Sequence, residues 1–468
     1  MRTIGIVSRS TYACQSCGHE ALAWSGRCPG CGDWNTLVET RREAPASGAR
    51  STRRGAAAAK AGRPVPLRDV SAPELARLRT GIDELDRVLG GGLVPGSLVL
   101  LGGAPGIGKS TLTGMALGNL AAAGRKVLYV SGEESTAQVR LRAERLGNGA
   151  LDVPALAETA LEAVIATLEA ERPDVCVIDS IQTLHAEGMS GAPGSVGQVR
   201  EAANAVMEVA KRIDCAVILV GHVTKEGSVA GPRVLEHLVD CVLFFEGERE
   251  RSFRTVRALK NRFGATSEVG VFEMRSGGLV EVVDPSARFV GEASGAPGSV
   301  VLASMEGTRP LLVEVQALVA PTEIVPPRRN ATGIDRNRLA MVLAVLARNG
   351  GPSVAGADVF VNVAGGVRVD EPGADLAVAL AIASAQAGEP LADPKGRPLA
   401  CFGEVGLNGE LRSVGHADRR VAEARKFGLD PVLAPAPTEH LDGLRAVATL
   451  REALAAVRGK GGRVKRAA

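Results

Sequence analysis

The fold is decided by one stretch of sequence, Val99-Leu100-Leu101-Gly102-Gly103-Ala104-Pro105-Gly106-Ile107-Gly108-Lys109-Ser110-Thr111. Its core, Gly103-x4-Gly108-Lys109-Ser110, has the spacing of a loop that binds nucleotide phosphates. Leu98 to Leu101 predicts the strand before such a loop, and Thr111 to Ala123 predicts the helix after it. In this motif backbone N–H groups surround the β-phosphate, the lysine reaches the β- and γ-phosphate oxygens, and the serine ligates Mg²⁺. We therefore predict that ATP and Mg²⁺ bind at Gly103, Ala104, Pro105, Gly106, Ile107, Gly108, Lys109, Ser110 and Thr111.

Two apolar segments downstream of the loop end in carboxylates, as strands around a nucleotide site do. Lys126 to Val130 leads into Glu133 and Glu134, where we expect the base that activates water, and we prefer Glu133. The alternative is a helix N-terminus with acidic residues in its first turn. Val175 to Ile178 leads into Asp179, which we expect to hold the hydration shell of Mg²⁺.

A further apolar segment, Ala216 to Val220, ends in Gly221-His222. A polar side chain at that end of a strand is suited to contact the γ-phosphate, so His222 is a predicted nucleotide sensor, with a structural histidine as the alternative. Strand and helix patterns alternate from Leu98 to Val220, which predicts an α/β domain with a doubly wound, mostly parallel sheet.

Length and composition exclude several classes of protein. The chain has 468 residues, of which 45% are hydrophobic and 23% charged, enough for about three domains with sizeable cores. Wholly disordered chains are poorer in aliphatic residues, and the 57 glycines lack the three-residue period of collagen. No apolar stretch approaches the roughly 18 residues that cross a bilayer, and Met1 to Gly5 lacks the apolar core of a secretion signal. We expect a cytoplasmic protein without membrane contact.

The formal net charge of +3 conceals two basic segments. Arg41 to Arg68 holds eight Lys or Arg residues and one Glu, and Arg458 to Arg466 adds further basic residues without an acid. The composition of the first segment is typical of a flexible linker, and that of the second of a basic tail. Either a solvated spacer or contact with nucleic-acid phosphates explains this charge.

The eight cysteines fall into two groups. Four of them have the spacing Cys-x2-Cys, ten residues, Cys-x2-Cys, and these are Cys14, Cys17, Cys28 and Cys31. Two such turns supply four thiolates for tetrahedral Zn²⁺, and four protein ligands leave no open position for a substrate. We therefore predict a structural zinc knuckle, with disulfides or a redox pair as the alternative. The remaining four are expected to be ordinary buried cysteines, namely Cys176, Cys215, Cys241 and Cys401.

Two motifs resemble a known family. Thr80-Gly81-Ile82-Asp83-Glu84-Leu85-Asp86-x3-Gly90-Gly91-Gly92-Leu93 is similar to the segment before the phosphate loop in RecA, KaiC and DnaB ATPases. Lys260-Asn261-Arg262-Phe263-Gly264, together with the knuckle and this ATPase core, resembles the bacterial RadA (Sms) family of recombination proteins. The resemblance implies that Lys260 and Arg262 reach the γ-phosphate bound to a neighbouring subunit. It also implies that the loop Thr224 to Leu235 faces DNA.

The C-terminal third resembles the proteolytic domain of Lon. The likeness lies in Leu311 to Val319, Arg336 to Leu339, Asp358 to Val363 and Gly403 to Leu407. The position of the nucleophilic serine is held by Gly373, and that of the base lysine by Asp418, so we expect no peptidase activity. The resemblance implies a ring-forming scaffold. Five arginines of this region are candidates for a DNA-facing surface, with simple solvation as the alternative, namely Arg328, Arg329, Arg336, Arg338 and Arg348.

We predict five segments: a zinc knuckle at 1–40, a basic linker at 41–70, a RecA-like ATPase domain at 71–283, an inactive Lon-like α+β domain at 284–456 and a basic tail at 457–468. The resemblance implies a DNA-dependent ATPase of DNA repair and homologous recombination. It would act as a hexameric ring on single-stranded or branched DNA and promote branch migration with RecA. The alternatives are a KaiC-like regulatory ATPase that acts on protein partners and an ATP-dependent protease, which the missing dyad opposes.

Overall fold

The computed structural model describes residues 10–14, 19–30, 32, 34, 36–41, 66, 69, 77–147, 149–189, 191–222, 234–247, 253–291, 293–392, 397–436 and 440–457. Cys17, Cys31, the loop residues 223–233 and nearly all of both basic segments lie outside these residues. The chain divides into two compact units. The first comprises Met1–Phe245, Ala258–Gly264 and Ser276–Gly278, and the second comprises Glu246–Arg257, Ala265–Arg275 and Leu279–Ala468.

The N-terminal segment forms a small antiparallel sheet. Its strands are β1 (Ser10–Cys14), β2 (Glu20–Ala21) and β3 (Leu37–Arg41), in the order β2-β1-β3. The buried centre of this sheet consists of Cys14, Cys28 and Leu37, with Tyr12 and Ala21 packed against it. So small a core does not stabilise a fold by itself, which is the usual situation of a domain that depends on a metal.

The rest of the first unit alternates helices and strands. Its elements are α1 (Asp83–Leu89), β4 (Leu98–Gly103), α2 (Lys109–Ala122), β5 (Val127–Ser131), α3 (Thr136–Leu146), β6 (Ala155–Ala157), α4 (Leu161–Glu171), β7 (Val175–Asp179), α5 (Val196–Ile213), β8 (Ala216–His222), α6 (Val234–Leu238) and β9 (Cys241–Glu246). Six of these strands are parallel neighbours in the order β9-β4-β8-β7-β5-β6. This arrangement confirms the α/β fold with a mostly parallel sheet.

The central strands are buried on both faces, as parallel strands covered by helices are. Every residue of β4 and of β7 is buried. The observed β4 extends two residues, and β7 one residue, beyond the apolar run from which each strand was predicted. Cys176 and Cys215, which were predicted to be buried, lie wholly inside this core, and burial raises the pKa of both thiols. Both cysteines therefore behave as small apolar side chains.

Three further strands follow: β10 (Phe253–Asn261), β11 (Val269–Arg275) and β12 (Gly278–Glu281). The second unit then contains α7 (Pro285–Val290), β13 (Ser299–Glu306), β14 (Arg309–Pro321), β15 (Arg329–Thr332), α8 (Arg336–Arg348), β16 (Ala357–Val363), α9 (Asp375–Ala387), β17 (Ala400–Cys401), β18 (Glu404–Val405), β19 (Leu411–Arg412), α10 (Ala417–Lys426), β20 (Val432–Ala434), β21 (Leu444–Ala446) and α11 (Leu450–Val457).

The second unit is built on a mixed sheet with the order β15-β16-β14-β13-β17-β20-β21. The long strands β13 and β14 pair antiparallel from Ser299–Gln316 to Glu306–Arg309. Helix α9 is rich in alanine and is buried along most of its length, so it lies in the core of this unit. The likeness of this unit to the Lon domain stays a prediction. No helix among the described residues is long and apolar enough to span a membrane.

Candidate nucleotide-binding site

The loop between β4 and α2 depends on glycine at several positions. A Cβ atom on Gly103 would lie 2.6 Å from the carbonyl oxygen of Phe245 on the adjacent strand. Gly106 and Gly108 have φ angles of 75° and 118°, which lie in the region that favours glycine. Because Gly108 caps α2 and the helix starts at Lys109, the loop passes over the N-terminus of a helix, where backbone N–H groups bind phosphate.

The predicted lysine lies inside this loop. Lys109 Nζ donates hydrogen bonds to the carbonyl oxygens of Gly103 at 2.8 Å and of Ala104 at 3.1 Å, and the residue is only 5% exposed. Burial lowers the pKa of Lys109, while the nearby carboxylates of Asp179 and Glu133 act in the opposite direction. Its ammonium group is therefore a cation held among the loop carbonyls, close to both predicted acidic groups.

The register of the sheet brings the other predicted residues to the same edge. Gly103 at the end of β4 pairs with His222 on β8, and Ser131 at the end of β5 pairs with Asp179 on β7. The carboxyl ends of parallel strands meet at one edge of a sheet, which is where ligands bind in open α/β folds. The side chain of His222 lies outside the described atoms, so its role as a sensor stays a prediction.

The two adjacent glutamates have different partners. Ser180 Oγ donates a hydrogen bond of 2.6 Å to Glu133 Oε1. Glu134 instead forms an ion pair of 2.7 Å with Arg142. Both glutamates precede Ser135, which caps α3 in a reciprocal capping box with Gln138, so neither lies in the first turn of that helix.

Asp179 is held by a residue that the sequence did not single out. Tyr129, on β5, donates a hydrogen bond of 2.6 Å from its hydroxyl to Asp179 Oδ2. Burial, reinforced by the charge of Asp179, raises the pKa of Tyr129 far above its ordinary value. The same hydroxyl accepts a hydrogen bond of 3.0 Å from Arg142 Nη2. The only signal in the sequence was a hydroxyl-bearing aromatic residue inside an aliphatic strand.

The residues present fit a magnesium ion. Mg²⁺ prefers oxygen ligands, and it is usually bound through one or two protein groups and substrate phosphates while it keeps several waters. Ser110 starts the helix beside Lys109 and offers a hydroxyl, and Asp179 offers a carboxylate. Ser110 and Asp179 would therefore hold the metal of a metal–nucleotide complex, and Lys109 would bind its phosphates.

The Lys260–Gly264 segment is anchored within its own chain. Lys260 Nζ donates hydrogen bonds to the carbonyl oxygens of Glu236 at 2.7 Å and Val239 at 2.8 Å, at the C-terminal end of α6. Arg262 forms an ion pair of 3.1 Å with Asp240, yet its side chain is 54% exposed. Contact of Lys260 and Arg262 with a neighbouring subunit stays a prediction.

Two cysteines of the predicted zinc knuckle, Cys14 and Cys28, lie among the described residues and belong to one small buried cluster. Cys14 and Cys28 are both buried, and the backbone N–H of Gly30 donates a hydrogen bond of 3.3 Å to Cys28 Sγ. An N–H group directed at sulfur stabilises a thiolate, which is the form that binds metal. The other two cysteines of the motif lie outside the described residues.

In the second unit an ion pair lies against the position of the expected Lon serine. A Cβ atom on Gly373 would lie 3.2 Å from Glu371 Oε2 and 3.3 Å from Arg420 Nη1. Arg420 is 2% exposed, pairs with Glu371, and lies over the ring of Phe402. The turn before α9 is thus filled by a buried ion pair that the sequence analysis did not predict.

Of the five candidate arginines, three have strong partners within the unit. Arg338 forms two hydrogen bonds of 2.6 and 2.7 Å with Asp375. Arg329 donates to the carbonyl oxygens of Ala357 and Val354. Arg328 pairs with Asp358 at 3.0 Å and keeps more than half of its side chain exposed.

The fold and the site define a P-loop ATPase with an N-terminal metal-binding domain. A family model described as an AAA domain matches residues 63–228, and one described as a rubredoxin metal binding domain matches residues 12–39. DNA repair protein RadA of Bacillus subtilis is 48% identical over 442 residues, 93% of this chain and 94% of the relative. DNA repair protein RadA of Pseudomonas aeruginosa is 50% identical over 448 residues, 95% of this chain and 97% of the relative. The chain belongs to the RadA family of DNA repair proteins, which confirms the family predicted from the sequence.

Solved structures also match part of the chain. The KaiC-like protein of the archaeon Pyrococcus horikoshii matches 44% of this chain and 99% of its own, with a TM-score of 0.38 and 21% sequence identity.

Proposed function

We propose that this protein is a DNA-dependent ATPase of DNA repair and homologous recombination, and that it works in the cytoplasm. In this proposal it forms a hexameric ring on single-stranded or branched DNA and promotes branch migration together with RecA. Membership of the RadA family supports the role in repair, because the relatives are named DNA repair proteins. The observation that carries the ATPase activity is the convergence of Lys109, Asp179 and Glu133 at one edge of the sheet.

The contacts of the two glutamates favour Glu133 as the base. Glu134 pairs with Arg142, which also contacts Tyr129, whereas Glu133 accepts a hydrogen bond from Ser180 and lies close enough to Lys109 for its charge to raise the pKa of that lysine. A base must lie within reach of the proton that it removes, and the contacts with Ser180 and Lys109 put Glu133 rather than Glu134 beside the phosphate loop and Asp179. In this proposal Glu133 removes the proton from the attacking water, and Lys109 balances the charge of the β- and γ-phosphates. Mg²⁺, when bound, neutralises charge that develops on the phosphate oxygens.

The ring is proposed to complete each site with cations from a neighbour. The exposure of Arg262 supports this role, since its guanidinium reaches solvent beside the pair with Asp240. Lys260 caps a helix of its own chain, and in this proposal it also contributes to the γ-phosphate environment of the next subunit. An arginine supplied from outside in this way is a recurring source of transition-state stabilisation.

Outside the nucleotide site we propose two supporting roles. Cys14, Cys17, Cys28 and Cys31 bind one structural Zn²⁺, a proposal that the match to a rubredoxin metal binding domain supports. The second unit acts as a scaffold of the ring and has no peptidase activity, because Gly373 and Asp418 supply neither a nucleophile nor its base.

The test is steady-state ATP hydrolysis with and without single-stranded DNA, at low and at moderate salt. We expect DNA to stimulate turnover and salt to weaken the stimulation, because a sequence-independent grip on phosphates releases counterions. Lys109→Ala is the control for contaminating ATPases and should abolish turnover. Basal turnover that ignores DNA at every salt concentration would contradict the DNA-dependent activity. It would favour instead a KaiC-like regulatory ATPase that acts on protein partners.

A further inference from the structure

Tyr129 and Arg142 form a polar network behind the predicted magnesium site. The Tyr129 side chain is 3% exposed, and its hydroxyl lies 2.6 Å from Asp179 Oδ2 and 3.0 Å from Arg142 Nη2. Neither residue belongs to the phosphate loop or to the carboxylates at the sheet edge. The nucleotide site as proposed therefore leaves this network without a role.

The hydrogen bonds of the network have a fixed direction. A phenol has one hydrogen to donate, and a guanidinium group only donates. The Tyr129 hydroxyl therefore accepts from Arg142 and donates to Asp179, so its single hydrogen points at the carboxylate. A charge-assisted bond of this kind is short and holds the acceptor in one orientation.

Arg142 is itself held in place. Its Nη2 atom lies 2.7 Å from Glu134 Oε2, and its guanidinium lies 5.7 Å from the centre of the Tyr129 ring. The side chain is only 15% exposed. Glu134 is thus the anchor at one end of the network, and Asp179 is the group held at the other end.

We infer that Tyr129 and Arg142 are positioning residues that hold the Asp179 carboxylate, through its Oδ2 atom, in the orientation in which it would bind hydrated Mg²⁺. The inference rests on the proposed function, since it takes Asp179 as the magnesium group of the ATPase site. Groups behind a metal site commonly set its affinity by fixing the orientation of the group that faces the metal. In this network Glu134 holds Arg142 in place, whereas Glu133 accepts a hydrogen bond from Ser180.

The test measures metal affinity directly. Mn²⁺ serves as the probe, because its electron paramagnetic resonance signal reports the free ion in a mixture of full-length protein and ADP. Tyr129→Phe keeps the ring and removes the hydroxyl, and we expect it to raise the Kd for Mn²⁺ roughly 10-fold. The affinity for ADP without metal should not change, because the phosphate loop is intact.

Arg142→Met is the second variant, and it is expected to shift the Kd for Mn²⁺ in the same direction. Arg142 lines a cavity of about 370 Å³ beneath α3, so a shorter side chain meets no obstacle. If Tyr129→Phe does not fold, Arg142→Met carries the test. Arg140→Met is the matched control, because Arg140 lies on the same helix in an exposed pair with Glu144. It should leave the Kd for Mn²⁺ unchanged.

The double variant Tyr129→Phe/Arg142→Met tests whether Arg142 affects metal binding through the Tyr129 hydroxyl or independently of it. If Arg142 acts through the phenol, the double variant has the same Kd for Mn²⁺ as Tyr129→Phe alone. Fully additive shifts would overturn the role of Arg142, and an unchanged Kd in a folded Tyr129→Phe would overturn the whole inference. A wild-type protein that binds Mn²⁺–ADP but shows no DNA-stimulated turnover would instead refute the proposed function, so the two failures are distinguishable.

Discussion

Gly132 is a position at which one added methyl group would disturb the candidate site. It joins β5 to Glu133, and its N–H donates a hydrogen bond of 2.8 Å to the carbonyl oxygen of Asp179. A Cβ atom at Gly132 would lie 1.9 Å from Thr183 Oγ1 and 2.8 Å from Thr183 Cβ. Carbon and oxygen do not approach within about 3 Å, and Thr183 Oγ1 is held by a hydrogen bond of 2.7 Å to the carbonyl oxygen of Ser180. We therefore expect the loop that carries Glu133 to move by about 1 Å in Gly132→Ala.

That movement acts on the catalytic geometry more than on the fold. Overpacking of this size costs about 1–3 kcal/mol of stability, which a chain with two sizeable cores tolerates. A displacement of about 1 Å at a reacting group lowers the rate roughly 100-fold. We therefore expect Gly132→Ala to lower kcat for ATP roughly 100-fold with little change in KM, because the phosphate loop is not displaced.

The assay is steady-state phosphate release, with thermal unfolding recorded beside it. Gly197→Ala, in the first turn of helix α5, is the matched control, since the nearest atom to its new Cβ is Met189 Cε at 3.8 Å. Thr183→Ala should restore part of the activity of Gly132→Ala, because it removes the atom in closest conflict. A folded Gly132→Ala with wild-type kcat, or a loss that Thr183→Ala does not relieve, would refute this reasoning.

Three further predictions concern other parts of the molecule. Glu306, whose side chain is 12% exposed beside Arg257, has its pKa raised by burial from 4.5 to about 7, so folding favours its protonated form. The stability that Glu306 contributes is therefore fully present below pH 4.5 and is lost as the pH rises through about 7. Glu306→Gln should stabilise the fold at pH 8 by up to about 3 kcal/mol but should not stabilise it at pH 4.5. Equal denaturation midpoints of wild type and variant at pH 8 would contradict this. Elemental analysis should find zinc in the wild type and in Cys401→Ser but not in Cys28→Ser; zinc retained in Cys28→Ser would refute the knuckle. Arg262→Ala should cut DNA-stimulated turnover roughly 1,000-fold without changing ATP binding, and mixing it with Lys109→Ala should recover activity at mixed interfaces. No recovery, with subunit exchange verified, would argue against a shared site.

Local patterns in the sequence predicted the phosphate loop and the strand that ends in Asp179. The phosphate loop was recognisable because its glycines, lysine and serine are consecutive, and Asp179 because a carboxylate ends a fully apolar strand. Parallel pairing then brings Gly103, His222 and Asp179 to one edge without further information, since register follows from the buried runs. The strands were longer than predicted because β4 and β8 pair as far as Gly103 and His222.

The parts that the sequence did not predict depend on contacts between distant residues. Tyr129 and Asp179 are 50 positions apart, and Ser180 and Glu133 are 47 apart, so no local spacing connects them. Arg420 lies on α10, a helix made largely of charged residues, yet its side chain is buried against Glu371. A buried polar side chain of this kind needs a specific hydrogen-bonding partner, and only the tertiary structure identifies that partner.

In the proposed function, ATP hydrolysis at this site drives movement along DNA. The measurement that tests it most directly is extension of a labelled three-strand joint molecule, formed by RecA, after RecA is removed. The account predicts that the wild type extends the heteroduplex with ATP but not with a non-hydrolysable analogue. Lys109→Ala should bind the same DNA and leave the junction where it was. Extension by Lys109→Ala, or none by a wild type that hydrolyses ATP on this DNA, would contradict the account.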